Sequence, residues 1–250
     1  MTPVKLYGIP SSNAVLTVQL ALEHKGVEYR RVDLIPVQHR IGMLLRRFGG
    51  MTVPGVVIDG RRVHGSVAIM HALDEARTGP ALYPADPSRR REIEEAVSWG
   101  EQTYQPTMRR LLPYALLKRP AALRTLLEDS RMVLPKGIAA RTARPNVWVT
   151  SRYNHSNDGN VRRTLAELPP MLDRIDSWIG SGKLDAANPC AADFMIAPTT
   201  RALMWFEDLR PAIESRPAGE HALSVAPHYP GNFPPLFPAD ALAQFRQVPA

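Results

Sequence analysis

Three serines stand where a hydroxyl coincides with a helix N-terminus: Ser11 and Ser12 in the turn after VKLYG, and Ser66 opening SVAIMHALDEA. A helix N-terminus presents unpaired N–H groups and the positive end of the macrodipole, so it favours an anion. The same position suits a serine that only caps the helix. Other chemistries are poorly served. Cys190 is the single cysteine, which excludes an internal disulfide, a Cys-x-x-Cys redox pair and a cysteine-based zinc site. Seven histidines are scattered without His-x-x-x-His spacing, so no metal is expected.

The elements that carry these residues follow from pattern and punctuation. VKLYG at 4–8 reads as a strand, and Asn13 to Lys25 as a helix stopped by Gly26. Glu28 to Leu34 is a second strand. A short helix over 38–48 should point Ile41, Leu44, Leu45 and Phe48 inward. After Val53-Pro54, a strand over 55–58 and a return strand over 61–64 flank Asp59-Gly60, the strongest short hairpin signal. Ser66 begins a helix running to Ala76. The β-α-β-α-β-β-α order over residues 1–79 predicts a thioredoxin-like α/β domain. A breaker-rich linker, Gly79-Pro80 to Pro87, separates it from an all-α domain over 88–250 with a proline-rich tail. There, helices are expected over 88–117 with kinks or breaks at Pro106 and Pro113, over 120–134, over 158–180 interrupted near Pro169-Pro170, and over the strongly apolar 190–209. Residues 135–156 read as an irregular connection, and one short helix is expected around 239–246.

The chain of 250 residues carries a formal charge of +7 and a pI near 9.8, with 26 arginines against 5 lysines. The arginines are dispersed in short pairs, and no nucleic-acid-binding motif or basic tail accompanies them. Nucleic acid is therefore not an expected partner. No stretch approaches the ~18 apolar residues of a membrane span, and no signal peptide is visible at the start. A cytoplasmic protein without membrane contact is the expectation.

The ordered set of motifs resembles the cytosolic glutathione transferases, in a divergent, serine-type, bacterial-like form. LYGIPSSNAVLTVQLALEHKG is similar to that family's first strand, serine-bearing turn and first helix. VPGVVIDGRRVHGSVAIMHAL resembles the stretch with its cis-proline and glutathione-binding serine, ALYPADP its linker, and NPCAADFMIAP the start of its buried helix, where a capping box is formed. The resemblance is close over residues 1–80 and looser over 88–210. It implies a thiol, glutathione or another, as co-substrate with no further cofactor, an electrophile as second substrate, a detoxifying transfer reaction and a homodimer.

By the same resemblance, Ser12 donates its hydroxyl to the thiol sulfur, with Ser11 as runner-up and Tyr7 read as core. A thiol titrates near ~8.5, and a charge-assisted hydrogen bond beside a helix N-terminus lowers that value. Val53, before a cis Pro54, would pair with the cysteinyl part of the thiol. Ser66 would hold the γ-glutamyl carboxylate, and His39 and Arg40 the glycine carboxylate. The electrophile would lie near Met108, Leu111, Leu112 and Tyr114. Cys190 and Asp193 are structural. One departure is Gly65, where the family usually has the acidic or amide residue that meets the glutathione ammonium. A different thiol, weak affinity, or a non-catalytic binding protein of this fold are the readings that Gly65 favours. The absence of a cysteine in the first turn argues against a thiol-disulfide reductase.

Overall fold

The structure is a computed structural model that describes residues 4–35, 38–131 and 144–245, with only the backbone of Arg144 and Gln244. Strands β1 (Val4–Gly8), β2 (Tyr29–Asp33), β3 (Gly55–Ile58) and β4 (Arg61–His64) form one sheet in the order β2-β1-β3-β4. β1 and β2 are parallel, and β3 is antiparallel to both β1 and β4. Alternation sorts the side chains: Val4, Leu6, Val56 and Ile58 enter the main core, while Tyr7 and Val57 face a smaller cluster of Leu34, Met43 and Phe48. α1 (Asn13–His24) and α3 (Ser66–Ala76) cover the first face. Gly8 ends β1 because a Cβ there would come within 2.7 Å of Val15 on α1. Asp59 and Gly60 both have positive φ, as a tight hairpin requires.

α2 (His39–Leu45) is shorter than expected and turned the other way. Its one buried residue is Met43; Phe48 follows it inward, whereas Ile41, Leu44 and Leu45 are exposed. A helix of two turns needs only one residue against the sheet, and Met43 occupies the face opposite the aliphatic stripe.

The linker is clamped rather than loose. The Lys25 ammonium bonds Asp74 (2.9 Å) and the Pro80 carbonyl (3.0 Å), and Asp74 also accepts the N–H groups of Leu82 and Tyr83. Leu82 and Tyr83 are thereby buried, and the Leu82 carbonyl accepts the N–H of Ala191 at the start of the central helix.

α4 (Pro87–Trp99) begins on an Asp86 cap. It passes through a π-turn, Gly100–Tyr104, into α5 (Gln105–Lys118), so the disturbance expected at Pro106 takes the form of one widened turn just before it. α5 continues through Pro113. The described part of the expected 120–134 helix is only a 3-10 turn (Pro120–Ala122) and one helical turn, α6 (Leu123–Leu126). It stops where the Leu126 carbonyl accepts the Ser11 hydroxyl instead of extending a helix. Residues 132–143 lie outside the described residues. Within the stretch read as irregular, Arg144–Tyr153 is a helix, α7, with Pro145 in its first turn, where a missing N–H is harmless.

α8 (Asp158–Gly180) runs unbroken through Pro169 and Pro170. An interior proline costs about 3 kcal/mol, but Leu165, Leu168, Leu172 and Ile175 are all buried, each contributing about 1.5–3 kcal/mol. α9 (Ala191–Leu203) is the core of the helical part, with every residue buried except Arg201. It ends before the expected 209, in a turn that pairs Phe206 with Phe233 of the tail. α10 (Arg210–Glu214) and α11 (Pro217–Val225) follow, the latter unforeseen behind its opening proline. The proline-rich tail then wraps the surface: Leu236 and Phe237 donate to Asp208, and Trp205 donates to the Tyr229 carbonyl. The short helix expected around 239–246 is a 3-10 turn at Ala243–Phe245 within the described part.

Candidate functional site

Three loops meet at the C-terminal end of β1. The register Tyr7↔Gly55 brings Gly8 beside Pro54, and the Val53-Pro54 bond is cis. The Gly65 N–H donates to the Pro54 carbonyl at 3.0 Å, which fixes the start of α3 against the same edge. Ser12 caps α1 in extended conformation, its hydroxyl oxygen accepting the Val15 N–H at 3.4 Å. Its own O–H has no acceptor among the described residues. Val53 stands half-buried with no hydrogen-bond partner for its backbone among the described residues, an edge open to an extended peptide. Ser66 is the first residue of α3 and is 2% exposed.

The other sequence candidates separate. Ser11, in the left-handed region at φ 57°, gives its hydroxyl proton to the Leu126 carbonyl and so ties the first turn to the helical part. Tyr7 packs its ring edge-on against Phe48 at 5.3 Å. His39 is half-buried, with an unpartnered Nδ1 facing inward. Burial, aided by the neighbouring Arg40, lowers its pKa and favours the neutral ring. Arg40 lies over the Tyr153 ring of α7 at 5.4 Å.

The four residues expected beside the electrophile lie on the inner face of α5. Met108, Leu111 and Tyr114 are buried in the core and Leu112 is half-buried against it, because the inner face of α5 packs on other helices. Open space lies instead beside the first turn. A cleft of about 380 Å³ starts at Ile9 to Ser12 and runs along α1 past Leu16, Gln19 and Leu20. Its opposite wall is Leu126, Asp129 and the tail from Ala226 to Pro230. Arg31 lines its floor, held by a two-pronged bond to Asp33 at 2.6 and 2.9 Å.

Sequence reasoning missed Glu101. The π-turn places its carboxylate 3.4 Å from the Ser66 hydroxyl, which donates to it. No motif marks Glu101, because a turn 35 residues away delivers it. Gly65, the departure noted in the sequence, has φ +87° and ψ 141°, a conformation suited to glycine that an acidic residue would adopt only with strain.

Cys190 and Asp193 have structural surroundings. They form the capping box of α9, in which the Asp193 carboxylate accepts the Cys190 N–H at 2.8 Å, the Asp185 N–H at 2.9 Å and His221 Nε2 at 2.6 Å. Burial, with Asp193 beside it, pushes the Cys190 thiol up to about 12, which makes it inert. Among the described residues, no cluster of side chains could hold a metal ion, and no helix is long and apolar enough to cross a membrane.

Residues 6–81 match the family described as glutathione S-transferase, N-terminal domain. Maleylacetoacetate isomerase of Rhizobium meliloti (strain 1021) is 39% identical over 90 residues, which are 35% of this chain and 42% of that protein. A probable maleylacetoacetate isomerase 1 of Drosophila melanogaster is 36% identical over 111 residues, 40% of this chain and 44% of that one. The chain thus matches less than half the length of these relatives. Solved structures share the fold over more of it. A glutathione S-transferase from Rhodospirillum rubrum F11 superposes with TM-score 0.58 at 20% identity, covering 88% of this chain and 91% of that one. The beta-etherase LigF from Sphingobium sp. strain SYK-6 gives 0.57 at 16% identity, covering 89% and 99%. Residues 6–81 thus carry a glutathione S-transferase N-terminal domain, and the chain as described, a mixed four-stranded thioredoxin-like sheet followed by a helical part, shares the glutathione transferase fold.

Proposed function

We propose that the chain binds glutathione at the junction of the three loops and activates its thiol for transfer to an electrophile. The observation that carries this reading is Ser12: a capping hydroxyl at the N-terminus of α1 whose own proton is uncommitted and which opens onto a cleft. Its O–H donates to the sulfur once the thiol proton has left for solvent, and the α1 N-terminus adds its partial positive charge. Both effects favour the thiolate. The thiolate then forms a C–S bond while the electrophile releases its leaving group. Ser12 is a stabiliser and forms no bond itself.

Binding is divided among the loops. Val53 pairs with the cysteinyl backbone, and the N–H groups at the start of α3, with Ser66, hold the γ-glutamyl carboxylate. Glu101 offers the ammonium partner that Gly65 lacks. Arg40, at the start of α2, is the cation nearest the glycine carboxylate in this reading, with the neutral His39 ring beside it. The electrophile takes the cleft along α1, not the α5 face.

A second reading is favoured by the relatives named maleylacetoacetate isomerase. An isomerase uses the same thiolate, adds it to a carbon–carbon double bond and expels it after rotation, so no thiol is consumed. Calorimetric titration with glutathione tests the shared binding step. Counting free thiol during turnover then separates transfer, where it falls, from isomerisation, where it stays constant. Binding without turnover of either kind leaves the non-catalytic reading, and no binding of any thiol defeats the proposal. The reading includes a homodimer with an isologous interface of about 1,600 Å² or more. Monomers in light scattering at micromolar concentration would oppose that part. The unpaired Cys190 suits a reducing, cytoplasmic setting.

A further inference from the structure

Among the stretches of the sequence without an acidic residue are 34–58 and 130–157. Together they hold eight basic residues, while the other 197 residues hold 23 basic and 24 acidic ones. The fold brings one described helix of each together. α2 comes from the first and α7 from the second, and the Arg40 guanidinium on α2 lies over the Tyr153 ring on α7 at 5.4 Å. The surface they share is apolar where it meets water. Ile41, Leu44 and Leu45 form an i, i+3, i+4 stripe, 63%, 62% and 75% exposed; Trp148 and Tyr153 are 59% and 68% exposed. Among the described residues, ten large hydrophobic side chains are exposed, and eight of them fall in these two acid-free stretches. A monomer scatters such residues singly; concentrating them marks a contact surface.

We propose that this face docks on an anionic lipid surface. The aliphatic stripe of α2 and the aromatic rings of α7 enter the boundary between headgroups and acyl chains, and Arg46, Arg47 and Arg152 meet lipid phosphates. Charge decides the occupant. A second copy presenting the same face would set arginine against arginine. A polynucleotide backbone would satisfy the arginines and leave the aliphatic stripe in water. An anionic bilayer matches both components at once. Windowed hydropathy sees only spanning segments, so the sequence gives no hint of a surface assembled from two distant stretches. His39 begins α2, so docking would hold the proposed thiol site next to lipid, where apolar electrophiles concentrate.

Flotation of the full chain tests this, with phosphatidylcholine vesicles as they are and with about a third of the lipid replaced by phosphatidylglycerol. The chain should float with the anionic vesicles and stay behind with the neutral ones. Binding should weaken in ~1 M salt, where the Debye length falls to ~3 Å. Leu45→Ser and Trp148→Ser should each reduce it about tenfold, and Arg47→Gln about fivefold. All three residues are exposed, and unchanged circular dichroism would show that the variants fold. A variant that misfolds is replaced by Trp148→Phe, which should abolish a blue shift in tryptophan emission seen when anionic vesicles are added to the wild type. Failure to float with anionic vesicles would overturn the proposal, as would equal binding by wild type and folded variants. So would variants that only change the oligomeric state, or a stronger effect on binding to single-stranded RNA than to vesicles.

Discussion

Glu101→Gln separates recognition of the ammonium from every other part of the thiol site. The substitution keeps shape and volume and removes the charge that faces Ser66 at 3.4 Å. In the proposed site that carboxylate is the partner of the γ-glutamyl ammonium, because Gly65 has no side chain and a backbone that resists one. A hydrogen bond between charged groups contributes about 1.5–3 kcal/mol. Glutathione should therefore bind roughly ten- to a hundredfold more weakly to Glu101→Gln. The assay is calorimetry with glutathione and with an analogue lacking the amino group. Wild type should prefer glutathione, and Glu101→Gln should bind the two nearly alike. The ionisation of the bound thiol should not change, since Glu101 acts at the other end of the ligand. Equal affinity of wild type and Glu101→Gln for glutathione would refute the assignment. Gly65→Glu should not rescue the variant, because φ +87° strains any side chain at that position.

Two further outcomes concern the scaffold. Asp193→Ala leaves the buried His221 ring without its partner and the N–H groups of Asp185 and Cys190 without their acceptor, and should lower unfolding stability by about 1–3 kcal/mol in denaturant titration. The Asp74 clamp should make stability acid-sensitive. Burial opposes its charge, but the Leu82 N–H, the Lys25 ammonium and the Tyr83 N–H outweigh burial and hold the carboxyl below its ordinary range. A carboxyl lower in the folded than in the unfolded state stabilises the fold fully above the unfolded value, near ~4. That contribution disappears as pH falls through the folded value, so acid unfolding followed by circular dichroism should be shallower below ~4 in Asp74→Asn. An unchanged acid profile in that variant would count against the clamp.

Local signals were legible in the sequence wherever one residue type has one physical use. Asp59-Gly60 fixed the hairpin, Gly26 the end of α1, and the apolar run after Cys190 the buried helix. Errors came where tertiary contact decides between options equal in sequence. Ile41, Leu44 and Leu45 have the spacing of a core stripe, yet Met43 took the sheet-facing position. Pro169 and Pro170 read as an interruption, but the buried leucines on either side outweighed them. Met108, Leu111 and Tyr114 are buried on the inner face of α5, where the helical core packs. The three loops of the candidate site were each marked in sequence by Ser12, Val53-Pro54 and Ser66. Glu101 and the cleft wall from Ala226 to Pro230 were invisible, because they reach the site from remote elements.

The central claim is that the Ser12 hydroxyl and the α1 N-terminus hold a bound thiol as its anion. Ultraviolet absorbance of the thiolate, titrated with pH in protein saturated with glutathione, measures this directly. The wild-type complex should ionise at least about one unit below the ~8.5 of a free cysteine thiol. In Ser12→Ala the value should rise by about one to two units, the equivalent of about 1.5–3 kcal/mol, with affinity nearly unchanged. The lost α1 cap should cost about 1 kcal/mol of stability, which leaves the fold intact. A bound thiol that ionises at its free value in the wild type, or at the same pH with and without the Ser12 hydroxyl, would contradict the account.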